Sequence, residues 1–208
     1  MATMSWAKNP IEVVQGYETR HGQTPLSPLF LWAVWAVEGL FYLDDLDAGL
    51  FDSLNKFGVH NLDIIDIAHV RWATGTAITA LDLCSAGLGR KYCGWTGKNE
   101  LDLRNFDLQK DKKRAPNLRS ALPNKACSWV NDVLADARYK NIQGARNPFT
   151  HSWMNRHLIS GGPVGHESRT QFKLIATNCQ LGARTLVSDS RDLSSEYVNK
   201  YLQLVDTL

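Results

Sequence analysis

Cysteine is scarce in this chain, and the few cysteines present are arranged in a way that excludes several kinds of site. The 208 residues include four, at positions 84, 93, 127 and 179. No two of them form a C-x-x-C pair, and no histidine stands near them at the spacing of zinc ligands. We therefore expect reduced thiols, with no metal and no cofactor bound.

An excess of charge and a long apolar run are also missing. Against 23 Lys and Arg residues stand 21 Asp and Glu, which leaves a formal net charge of +2. A field this weak does not indicate a nucleic-acid partner, so such a partner would have to meet a local patch.

The most apolar stretch, residues 29–43, covers about 15 residues, whereas a membrane helix needs roughly 20. Residues 1–10 lack the layout of a signal peptide, and we expect a cytoplasmic protein without a membrane segment.

The pattern that is present is helical. Apolar residues make up 44% of the chain, and 7 tryptophans argue against extended disorder. Apolar side chains recur at three- and four-residue steps, and no pair of strands is evident, so we predict an all-α protein with one domain over residues 1–208. The predicted helices cover about residues 11–19, 62–90, 168–186 and 195–205, with others from Pro28, from Asn124 to a stop at Gly144, and from Pro148.

Residues 94–123 interrupt this pattern, because periodicity fails there and polar residues dominate. We predict a long, exposed loop insertion. It is the most basic part of the chain, and Lys112, Lys113 and Arg114 are candidate RNA-binding residues, although a charge-rich loop is more often only solvated. Trp95 in the same loop is a candidate for stacking on a base or anchoring a partner. Tryptophans at helical spacing are predicted to be core residues instead, namely Trp32, Trp35, Trp72, Trp129 and Trp153.

The candidate catalytic residues are Arg146, Asn147 and His151. When a ribose 2′-OH attacks the adjacent phosphate, an imidazole can move the proton while a guanidinium stabilises the negative charge that grows on the phosphate. No metal-bound water is needed for this chemistry. Asn147 followed by Pro148 has the composition of an N-cap and a first helical residue, so we predict that a helix begins here and offers its backbone N–H groups to a phosphate.

In this set of residues the chain resembles the HEPN superfamily, whose hallmark is Arg, a polar residue, and His after four to six intervening residues. The resemblance implies an up-and-down bundle of four to five core helices and a homodimer whose composite active site brings two motifs together. It also implies metal-independent endoribonuclease activity in a toxin, antiphage or stress-response role. By the same resemblance Arg146 contacts the phosphate, His151 is the general acid or base, and Asn147 orients the phosphate. An antitoxin or regulatory protein is a further expected partner. In some relatives, however, the antitoxin modifies a Tyr two positions after the motif His, and this chain has Trp153 at that position.

Alternatives stay open for three features, namely the role of Asn147, the function of the whole chain and the role of Asp82. Asn147 is explained equally well as a helix cap, and that role can coexist with catalysis. The whole chain is alternatively a non-catalytic HEPN-type module that binds RNA, a nucleotide or a protein, or an unrelated helical protein. Asp82 in the long predicted helix either orients Arg146 or simply faces solvent.

Overall fold

A computed structural model describes residues 4–24, 26–54, 60–96, 99–151, 158–160, 170–174 and 179–207, and it describes side chains outside 43–67 and 147–180. Helices dominate these residues, which confirms the predicted all-α class. The helices are α1 (Pro10–His21), α2 (Leu26–Leu54), α3 (His60–Tyr92), α4 (Ala115–Ala121), α5 (Asn124–Ala135), α6 (Ala137–His151) and α7 (Ala183–Thr207). A short 3-10 helix covers Leu103–Phe106, and three strands are β1 (Leu158–Ser160), β2 (Thr170–Leu174) and β3 (Cys179–Gly182).

The chain divides into two compact units, each made of several segments. The first unit comprises residues 1–3, 39–78 and 137–193, and the second comprises residues 4–38, 79–136 and 194–208. In the second unit α1 begins where its sequence predicts, because the Asn9 side chain accepts a hydrogen bond from the Ile11 N–H and Pro10 occupies the first turn. The predictions of α1 and of the long α3 are both confirmed.

The core of the second unit is rich in aromatic residues. Tyr17, Phe30, Phe106 and Tyr201 are at most 1% exposed, and the ring of Tyr201 packs against those of Phe30 and Trp129 at centroid distances of 5.6 and 5.2 Å. The Trp129 indole N–H donates to the Tyr197 carbonyl at 2.9 Å. A buried indole N–H needs such a partner, so this bond fixes how α5 packs on α7.

The segment 94–123 is less exposed than the sequence predicts. Leu101, Leu103 and Phe106 are at most 1% exposed, and Ala115 and Leu118 of α4 are also buried. The 3-10 helix begins with a capping box, in which the side chains of Asp102 and Asn105 each accept a hydrogen bond from the other's backbone N–H. The expectation of a wholly exposed loop is wrong, because apolar residues spaced among the polar ones fix this segment to the second unit.

The predicted helix from Asn124 to Gly144 is also wrong, because two helices occupy this stretch. Asp136 has extended backbone angles and separates α5 from α6, and Gly144 lies inside α6. The Tyr197 hydroxyl lies at this break, 3.1 Å from the Asp132 carbonyl and 3.2 Å from the Asp136 carboxylate. The Asp132 carbonyl also accepts a hydrogen bond from the Asp136 N–H at 3.2 Å, so the Tyr197 hydroxyl is its second donor at the end of α5.

In the first unit a small antiparallel sheet replaces part of two predicted helices. The strands lie in the order β1-β2-β3, and Phe172 pairs with Leu158 on one side and Leu181 on the other. The prediction of a helix from Ser168 to Leu186 is therefore wrong over β2 and β3, and Leu158 lies in a strand. The helix predicted at about residues 195–205 is the C-terminal part of a longer helix, α7, which begins at Ala183.

The tryptophans are the clearest failure of the predicted core. Trp32, Trp35 and Trp72 are 53%, 59% and 57% exposed, whereas Trp129 is 4% exposed. Helical spacing identified positions on helices, but it did not identify which face of each helix is covered. The side chain of Trp153 lies outside the described residues. Where the structure describes the chain, none of its helices combines the length and apolarity needed to cross a membrane.

Candidate functional site

Arg146, Asn147 and His151 all lie on one helix, α6, as its tenth, eleventh and fifteenth residues. The predicted helix start at Asn147 and Pro148 is wrong, since these residues continue a helix that begins at Ala137. Asn147 is therefore not an N-cap, and the first-turn N–H groups that were expected to seat a phosphate are not available here. Pro148 has no N–H to donate to the Gly144 carbonyl, which weakens the helix locally.

The helical backbone sets the spacing of the three candidates. Positions 147 and 151 are four residues apart, so they lie on the same face of α6 about one turn apart. Positions 146 and 151 are separated by about 7.5 Å along the axis and about 140° around it.

Ala145, the residue before Arg146, positions α6 within the first unit. It is 2% exposed and belongs to a cluster of small and branched side chains drawn from α2, α3, α6 and α7. Small side chains allow helix backbones to approach closely, so the cluster fixes the helix at the residue preceding the candidate arginine. The members are Leu40, Val70, Ala73, Ala77, Ala145, Ala183, Leu186 and Val187, with Leu181 of the sheet packed against them.

Arginines follow three members of this cluster directly in sequence. Arg71 follows Val70 on α3, and Arg184 follows Ala183 on α7, just as Arg146 follows Ala145 on α6. Arg71 and Arg184 are exposed and Arg146 is half-buried. Because guanidinium groups stay protonated and recognise phosphate well, three helices of the same unit contribute groups suited to an anionic ligand. Sequence analysis missed Arg71 and Arg184, since no spacing in the chain connects them to Arg146.

An exposed tryptophan stands beside one of these arginines. Trp72 follows Arg71 on α3 and is 57% exposed. A half-exposed indole offers a face on which a base can stack, and a neighbouring guanidinium can meet the phosphate. Tyr42 in the same unit is 67% exposed. These aromatic groups extend the set of residues in the first unit that suit a nucleic acid.

The predicted RNA-binding residues Lys112, Lys113 and Arg114 are exposed and belong to the second unit. Their surroundings are mixed in charge, since Asp111 accepts a hydrogen bond from the Arg114 N–H and lies 3.9 Å from its guanidinium. Arg119, nearby in sequence, has a structural role: its Nε donates to the Phe106 carbonyl at 2.7 Å. The segment therefore carries three exposed cations, one of which, Arg114, lies beside Asp111.

Two other residues singled out by sequence have clear structural partners. The Asp82 carboxylate accepts a hydrogen bond from the Leu103 N–H at 3.0 Å, which ties the segment 94–123 to α3. The Trp95 indole N–H donates to the Asn99 carbonyl at 2.7 Å, and the side chain is half-buried. Trp95 therefore stabilises its own loop through this hydrogen bond, a role that the sequence alone did not predict.

Two thiols of the second unit, those of Cys84 and Cys93, have raised pKa values. Burial raises the pKa of the Cys84 thiol well above 9.0, and the nearby Asp82 carboxylate raises it further. Burial also raises the pKa of Cys93. A raised pKa lowers the fraction of nucleophilic thiolate, so neither cysteine is a candidate nucleophile. Within the described ranges, His, Cys, Asp and Glu side chains form no group of three or more that could hold a metal.

Comparison with known proteins adds no family to this description. No protein-family model matches the chain, and no curated protein and no solved structure matches it significantly.

Proposed function

We propose that the chain is a cytoplasmic, HEPN-like endoribonuclease that cleaves RNA without a metal. The observation that carries the proposal is the placement of Arg146, Asn147 and His151 on one helix, α6, which Ala145 anchors in the core of its unit. The arginines and the exposed tryptophan of the same unit add groups that suit phosphate and base. The toxin, antiphage or stress-response role is part of the same proposal and follows from the resemblance.

The proposed reaction is a transesterification within the RNA backbone. The ribose 2′-oxygen attacks the adjacent phosphorus, the bond from phosphorus to the 5′-oxygen breaks, and a 2′,3′-cyclic phosphate and a 5′-hydroxyl result. A base takes the proton of the 2′-hydroxyl, and an acid gives a proton to the departing 5′-oxygen. His151 supplies one of these groups, Arg146 stabilises charge on the phosphate oxygens, and Asn147 orients the phosphate.

A single motif contains one imidazole, while the reaction uses both an acid and a base. A homodimer with a composite active site supplies a second His151, because a two-fold interface presents the same residues from both copies. We expect the mass of the protein in solution to be that of a dimer. A strictly monomeric mass under cleavage conditions would contradict this part of the proposal. An antitoxin or regulatory protein that restrains the activity is a further proposed partner.

The test is cleavage of a mixed single-stranded RNA in EDTA by purified protein. We expect cleavage by the wild-type chain and a loss of about 100-fold or more in Arg146→Ala and in His151→Ala, because each removes a group used in the transition state. Asn147→Ala should lose less. Matched controls are Arg104→Ala and His21→Ala, which change exposed residues of the second unit and should cleave normally. Cleavage that survives His151→Ala, or a wild-type chain that never cleaves, overturns the proposal.

Binding measurements separate the two basic surfaces and also test a second candidate function. We expect Arg71→Ala and Arg184→Ala to weaken RNA binding and to reduce its salt dependence by about one counterion for each phosphate that the variant no longer neutralises. The matched triple substitution of Lys112, Lys113 and Arg114 by alanine tests the other surface in the same way.

The exposed tryptophans favour a second candidate, a non-catalytic module that binds RNA, a nucleotide or a protein. Trp32 and Trp35 lie on α2 and Trp72 on α3, each more than half exposed. Aromatic faces of this kind bind single-stranded bases by stacking. RNA binding that persists in Arg146→Ala and His151→Ala, with no turnover by the wild-type chain, favours this candidate over the nuclease.

A further inference from the structure

Four hydroxyl groups buried in the second unit have no hydrogen-bond partner in the protein. They belong to Tyr17, Thr24, Ser27 and Tyr201. Tyr17, Ser27 and Tyr201 are at most 2% exposed as whole residues. In folded proteins nearly all buried polar groups are bonded to protein or to ordered water, because a hydroxyl removed from water without a partner costs free energy. A group of four in one unit requires an explanation.

Ser27 lies in the first turn of α2, Thr24 lies just before that turn, and the Tyr201 hydroxyl lies near it. A Cβ atom placed on Gly87 of α3 would lie 3.1 Å from the Tyr201 hydroxyl and 3.7 Å from the Leu26 Cα. The Tyr201 hydroxyl therefore lies close to the residue that begins α2. Ser27 is the next residue along the chain, and its N–H donates to the Thr24 carbonyl at 3.3 Å, which keeps Thr24 at the same turn.

Tyr17 interacts electrostatically with Tyr201. Burial raises the pKa of Tyr201 well above 10.0, and the Cys84 thiol and the phenols of Tyr92 and Tyr17 raise it further, so these groups lie within interaction range. The raised pKa values of Tyr201, Tyr92 and Cys84 keep these three groups protonated and neutral near neutral pH. A buried ion needs compensating charge, which these hydroxyls do not supply, whereas a water molecule can accept and donate with hydroxyls alone.

We propose that the hydroxyls of Tyr201 and Ser27, with Tyr17 or Thr24 as a further partner, bind an internal water molecule beside the first turn of α2. Buried waters typically make about three hydrogen bonds to groups of this kind. The water connects α7 to the start of α2 and is a structural component of the second unit. A Cβ atom at Gly87 would lie 3.0 Å from Leu26 Cδ1 and 3.1 Å from the Tyr201 hydroxyl, so a side chain there would press on both. The inference is independent of the chemistry proposed for α6.

A crystal structure of the full chain at a resolution that shows ordered water tests the site directly. We expect electron density about 2.7–3.2 Å from the Tyr201 hydroxyl and at the same distance from a second hydroxyl of the group. No such density, with the hydroxyls bonded to protein acceptors or left unpartnered, overturns the proposal.

Unfolding in urea tests the same site in solution. If the water is bound, Tyr201→Phe and Ser27→Ala each lower the unfolding midpoint, and the double variant loses less than the two shifts together because both act on one water. A midpoint that is unchanged or raised in both single variants overturns the proposal, as expected of hydroxyls that simply lack partners. Tyr42→Phe, which removes an exposed hydroxyl, should leave the midpoint unchanged, whereas Tyr197→Phe should lower it by removing direct bonds.

Discussion

Gly89 gives the sharpest test of how the segment 94–123 packs, because a methyl group added there meets a buried side chain. A Cβ atom at this position would lie 2.6 Å from Leu101 Cδ1 and 3.3 Å from Leu101 Cβ and Cγ. Leu101 is 1% exposed, so it has little freedom to move aside. Overpacking costs about 1–3 kcal/mol, against a gain of about 1 kcal/mol for alanine over glycine inside a helix. We expect Gly89→Ala to lower the free energy of unfolding by up to about 2 kcal/mol.

Gly75 on the same helix, α3, is the matched control. A Cβ atom added to Gly75 would have no other atom within 4 Å. Gly75→Ala should therefore raise the free energy of unfolding by about 0.5–1 kcal/mol through helix propensity alone. Urea unfolding followed by circular dichroism measures both changes. If Gly89→Ala stabilises the protein as much as Gly75→Ala does, Leu101 does not pack against α3 as described.

Three further outcomes follow from the packing of the second unit. Asp82→Ala should lower the free energy of unfolding in urea by about 1–3 kcal/mol, because the buried Leu103 N–H loses its acceptor; no change would mean that another group accepts this bond. Trp129→Ala should cost about 3–5 kcal/mol in the same assay and Trp32→Ala much less, since only the first is buried; equal costs would contradict the described faces of α2 and α5. Cys84 should resist thiol reagents until the chain unfolds, because burial raises its pKa; rapid labelling of the folded protein, assigned by mass spectrometry, would contradict its burial.

Local signals predicted the elements that depend on their own sequence. The helix predicted at about residues 11–19 matches α1, and the long apolar periodicity predicts α3 within a few residues. The break at Asp136 was missed because the Tyr197 hydroxyl that lies there comes from a residue 61 positions away. No window of sequence around Asp136 contains that contact.

The sheet and the exposed tryptophans show two different limits. In β2 the polar residues Gln171 and Lys173 alternate with Phe172 and Leu174, a period of two that indicates a strand, but the alternation covers only four residues and the prediction missed it. The spacing of Trp32 fits a helix, but which face of α2 is covered depends on tertiary contacts. For the candidate site, sequence predicted a helix that begins at Asn147 and contains His151, with Arg146 just before it, whereas all three residues lie within α6, which begins at Ala137.

The chemistry of the RNA ends tests the central proposal most directly. Wild-type protein incubated with RNA in EDTA should leave a 2′,3′-cyclic phosphate on one fragment and a 5′-hydroxyl on the other, identified by mass spectrometry, and His151→Ala should leave the RNA intact. A wild-type protein that produces no such ends, or a His151→Ala variant that produces them equally well, would contradict the assignment of this activity to α6.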